Sequence, residues 1–77
     1  MKGKITVKGE QWGISFEHQE GDYTLTVFAN GYNCVPLQSD AMWFPTAGHA
    51  LHHLNSFIIN GRMPENLKSM TIFKLGD

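Results

Sequence analysis

Turn signals in the first half of the chain constrain the fold most, because two strand registers set separately by them agree. Glycines stand at Gly9, Gly21 and Gly31, spaced as the hairpin turns of a meander would be. With Gly9-Glu10 as a two-residue type II′ turn, which takes Gly at its first central position, Val7 pairs with Trp12 and Ile5 with Ile14. With Glu20-Gly21 closing the next hairpin, His18 faces Tyr23, Phe16 faces Leu25 and Ile14 faces Val27. Both registers gather Ile5, Val7, Trp12, Ile14, Phe16, Tyr23, Leu25 and Val27 on one face. Thr6, Lys8, Gln11, Gly13, Ser15, Glu17, Thr24 and Thr26 fall on the other. A slip of one residue in either hairpin would invert its set, so the agreement argues for a three-stranded sheet with one apolar face.

Asn30-Gly31 is a strong type I′ hairpin signal and opens a fourth strand over residues 32–37. Tyr32 and Cys34 join Val27 and Ala29 on the core face, whereas Phe28 and Val35 fall on the opposite one. Pro36 lacks an N–H and confines this strand to an edge or ends it. Residues 38–44 form a connection. Thr46 then reads as an N-cap, with Pro45 forcing an extended approach. Ala47, Ala50, Leu51, Leu54, Phe57 and Ile58 recur with helical period, and Asn60-Gly61 followed by Pro64 supplies the stop. A helix over residues 46–59 would be about 21 Å long, enough to cross strands of about six residues. Thr71, Ile72 and Phe73 mark a last strand over residues 68–75. The expected fold is α+β in two layers: an antiparallel meander of four to five strands packed on one helix, in the order β-β-β-β-α-β. It forms one small domain over residues 1–77. Trp12, Ile14, Phe16, Leu25 and Val27 should all point at Leu51, Leu54 and Ile58, with no ligand-sized hollow beneath the helix.

Composition narrows the function classes. A chain of 77 residues buries only about 60 % of the surface its unfolded form exposes, so a deep catalytic cleft would remove core it needs. No run approaches the roughly 18–20 apolar residues of a membrane span, and the basic start is followed by alternation instead of a signal-peptide core. The single cysteine, Cys34, rules out an internal disulfide framework and a multi-cysteine zinc site, and fits a reducing, cytoplasmic setting. A net charge of −1 gives no global field for nucleic acid.

Candidate chemistry is sparse. His49 and His53 are four apart on one helix face, with His52 beside them, which is half of a metal site. Completing it would need Asp40, His18 or Cys34, and the helix lacks the glutamate of a metalloprotease motif. A solvated helix face is the plainer reading, so no metal or other cofactor is expected. Cys34 has no neighbouring base in sequence and reads as a small buried hydrophobe, not a nucleophile. The glycines form no phosphate-binding loop, and Gly13 alone, in mid-strand, lacks a turn to explain it. No catalytic residue is assigned, and the chain is expected not to be an enzyme.

Two surface readings remain. Lys4, Lys8, Lys68 and Lys74 would gather on one side of the sheet if the last strand pairs beside the first, a crude platform for single-stranded nucleic acid. The plainer account is that lysines blunt sheet edges. The stronger signal is apolar residues without a core address: the Met42-Trp43-Phe44 run in a connection, Ile59 on the polar side of the helix and Phe28 on the outer sheet face. Met and aromatic residues are the side chains that anchor protein interfaces. The sequence therefore points to a non-enzymatic protein-interaction module whose partner is another protein or a second copy of itself. The chain's size suggests an accessory or inhibitor protein of phage or mobile-element type.

Overall fold

A computed structural model describes residues 11–75 as one antiparallel four-stranded sheet with one helix on one face. The elements are β1 (Trp12–Glu20), β2 (Tyr23–Asn30), β3 (Asn33–Val35), a 3₁₀ turn (Gln38–Asp40), α1 (Ala47–Ile59) and β4 (Leu67–Lys74). The sheet order is β3-β2-β1-β4, so the last strand lies beside β1. The expected α+β class is present. The strand expected before Gly9 lies outside the described residues, and the side of β1 assigned to it is occupied by β4, from Trp12↔Lys74 to His18↔Leu67.

Both hairpins turn one residue later than expected. Glu20 pairs with Tyr23 and Asn30 with Asn33, so Gly21 and Gly31 lead their turns instead of trailing them. Each takes a positive φ, 59° and 62°, while neither residue that follows does. Positive φ at the first central position alone is what glycine permits without a Cβ penalty. Moving the turn by one residue moves the pairing by two, and an even shift keeps every side chain on its face. Phe16 consequently faces Val27, not Leu25. Leu25 slides to His18, beyond the reach of the helix, and is 43 % exposed.

The core lies at the other end of the sheet. Ile14, Phe16 and Ala29 meet Ala50, Leu54 and Phe57 of α1, with the Phe16 and Phe57 rings 5.1 Å apart. Leu51 and Ile58, expected to be core residues, are exposed instead. The apolar arc of α1 is wider than the strip of sheet beneath it, and its flank overhangs. Helix ends follow their sequence signals. Thr46 Oγ1 accepts from His49 N at 3.1 Å. At the other end, Gly61 (φ 67°) lets Gly61 N reach Ile58 O and Arg62 N reach Phe57 O, the paired bonds of a Schellman stop. Among the described residues no helix is long and apolar enough to cross a membrane.

The connection after β3 touches both sheet faces. Phe44 forms a two-bond bridge with Trp12, its N–H donating to Trp12 O at 2.7 Å and its O accepting from Trp12 N at 3.0 Å. The Phe44 side chain plugs the core. Trp43, one residue earlier, lies over the opposite face against Gly13.

Candidate protein-docking surface

α1 has the sequence AGHALHHLNSFII and carries no formally charged residue. A helix in water normally balances its apolar stripe with a charged face. Here one flank is tied down: His53 Nε2 lies 2.6 Å from Gly31 O, and its ring stacks on Tyr32 at 5.0 Å with 6° between planes. A carbonyl only accepts, so Nε2 carries the proton and donates. On a helical wheel Leu51 and Ile58 occupy the opposite flank, which lies over β4. They are 50 % and 43 % exposed, and Ile59, pointing outward near the helix end, is 82 % exposed.

Beneath that flank runs a strand edge that is open among the described residues. Among the described residues β4 pairs with β1 alone. Leu75 N donates to Gln11 O at 2.7 Å, which continues the Trp12↔Lys74 register by one pair. Main-chain groups of an antiparallel pair alternate in direction. Phe73 and Thr71 therefore direct theirs at β1, while Lys74, Ile72 and Met70 direct theirs outward. The Met70 side chain shares the helix-facing side with Phe16 and is exposed. Between Lys68 and Lys74 this edge has no charge and no proline.

The residues singled out from sequence scatter. Phe44 is buried, a core plug and not a surface anchor. Trp43 and Phe28 sit half-buried around Phe73, edge-on at 5.7 and 5.9 Å. Gly13 makes room for that cluster, since a Cβ there would meet Phe73 Cζ at 2.8 Å and Trp43 Cζ3 at 2.9 Å. Met42 is exposed, with its sulfur 3.3 Å from Gly31 N, on the side of the molecule where His53 docks. Ile59 is exposed as expected from its place on the polar side of the helix. Lys68 Nζ reaches Thr24 Oγ1 at 3.5 Å, Lys74 lies 5.9 Å over the Trp12 ring, and Lys4 and Lys8 lie outside the described residues.

The histidines do not converge. His49 Nδ1 lies 2.8 Å from Thr46 Oγ1, His53 turns to Gly31, and His52 points to solvent. An open depression of about 450 Å³ lies beside Thr46, Gly48, His49 and His52, on the outside of the helix and not beneath it. Among the described residues no three His, Cys, Asp or Glu side chains form a group that could hold a metal ion. Cys34, expected to be buried, is exposed on the β3 edge. Partial desolvation still raises its thiol pKa above the ordinary value, against the opposing pull of the Arg62 guanidinium.

Leu51, Ile58 and Met70 were the residues that sequence reasoning missed as surface. The available signal was the absence of Asp, Glu, Lys and Arg from the whole helix. No family model, curated protein or solved structure matches this chain.

Proposed function

We propose that this chain is a non-enzymatic protein-interaction module, docking through the side built from the open edge of β4 and the overhanging flank of α1. One observation carries the reading: α1, which has no formally charged residue, packs on β1 and β4 and leaves Leu51 and Ile58 exposed, beside a β4 edge that is unpaired among the described residues. Exposed apolar side chains rimmed by polar ones mark interaction sites on small proteins, and an open edge accepts a further strand through main-chain bonds. A module of this size acts by occupying a surface, as an accessory factor or a steric inhibitor does. The test places a photo-crosslinking residue at position 58 or 70 of the full chain in its host cells. Adducts to protein are expected from both. Position 23 is the comparison, because Tyr23 is 73 % exposed but stands at the far hairpin, and it should give none. No adduct from positions 58 and 70, or equal yields from all three, overturns the reading.

A further inference from the structure

We infer that the occupant of this side is a second copy of the chain, with two β4 strands paired antiparallel about a twofold axis and the two α1 flanks packed over the seam. The inference rests on the docking reading above and names its partner. Three features favour a copy.

The outward main-chain groups of Met70, Ile72 and Lys74 are unpaired among the described residues, and a twofold-related β4 offers the same groups in complementary order. The same rotation brings Leu51 and Ile58 over their mates, covering what α1 leaves exposed. Because α1 has no formal charge, two copies of its flank meet without like-charge repulsion.

Residues 69–73 of β4 carry no charge, so two copies of this stretch meet without like-charge repulsion. Lys68 stands at the irregularity opposite Glu17 and His18 and reaches back to Thr24, out of the pairing stretch. The area is sufficient, and modestly so. β4 of eight residues is roughly 26 Å long, and a strip about 20 Å tall along it covers about 500 Å² per copy. The total of about 1,000 Å² is the lower bound for a specific interface, so a micromolar, concentration-dependent dimer is expected.

Sedimentation and light scattering of the full chain from about 1 to 500 µM decide it. The mass should rise from 8.7 kDa towards twice that value. Ile58→Glu and Met70→Lys should each weaken the dimer by about tenfold or more. Ile59→Glu should leave it unchanged, although Ile59 is the more exposed residue, because it points away from the seam. Circular dichroism checks the fold of each variant. If Ile58→Glu unfolds, Met70→Lys on the open edge carries the comparison. A mass of 8.7 kDa at every concentration overturns the inference, as does a dimer that survives both seam variants or breaks equally with Ile59→Glu. A monomer that still crosslinks another protein from positions 58 and 70 overturns only the copy and leaves the docking reading intact. A monomer with no adduct overturns both.

Discussion

At Gly13 the absence of a side chain does structural work on the back of the sheet. The Phe73 and Trp43 rings occupy the space a Cβ would take, at 2.8 and 2.9 Å, and Phe28 closes the cluster from the side. Gly13→Ala must push two packed rings apart, so a loss of about 1–3 kcal/mol is expected in urea denaturation, despite the better strand propensity of alanine. Phe44→Ala, which removes the core plug, should cost about 3–5 kcal/mol, enough to unfold most of a population this marginally stable. Ile59→Ala should shift stability by no more than about 0.5 kcal/mol. Cys34 gives a pH prediction. Burial raises its thiol pKa and Arg62 lowers it, so thiolate forms later than in a free cysteine as pH rises. Alkylation by iodoacetamide at pH 8 should be slower than for an unfolded chain, and Arg62→Ala should slow it further.

Individual elements show which sequence signals carry weight. Thr46→Ala removes the acceptor for His49 N and should cost about 1 kcal/mol by thermal melting. Gly61→Ala forces φ 67° on a residue with a Cβ and should cost a similar amount, about 1 kcal/mol. Both helix ends were legible because each depends on one residue with one physical role. Strand faces were legible because period-2 alternation survives an error of two in register. Turn placement was not, since Glu20-Gly21 and Gly21-Asp22 both offer a glycine and only the sign of φ at the first central position separates them. That single residue moved Leu25 out of the core, while Ala29 stayed on the core face expected for it. The partner of β1 was not legible either. Local turn chemistry favoured the neighbouring segment, and the pairing with β4 joins distant residues, from Trp12 with Lys74 to His18 with Leu67. The proposed docking side was half legible: Ile59 stood out, but Leu51 and Ile58 satisfied the helical stripe, and no wheel shows how wide the sheet beneath it is.

Across the whole molecule, the apolar residues divide into a core under α1, an aromatic cluster behind it and the exposed flank beside it. The lysines do not assemble into a platform among the described residues. Lys74 lies over Trp12, Lys68 reaches Thr24, and the back-face aromatics present edges to one another instead of open faces. Fluorescence anisotropy with a short single-stranded oligonucleotide at low salt is expected to show no binding, and a salt-dependent rise would reinstate the nucleic-acid reading. The helix and the Phe44 bridge hold only one end of the sheet, while the Glu20–Tyr23 end projects past them. Opening of this molecule should therefore be directional. Amide protons near the Gly21 tip should exchange fastest, those of Ser15 and Phe28 should be among the slowest, and the amides of Trp12 and Phe44 should be released together when the clamped end finally gives way.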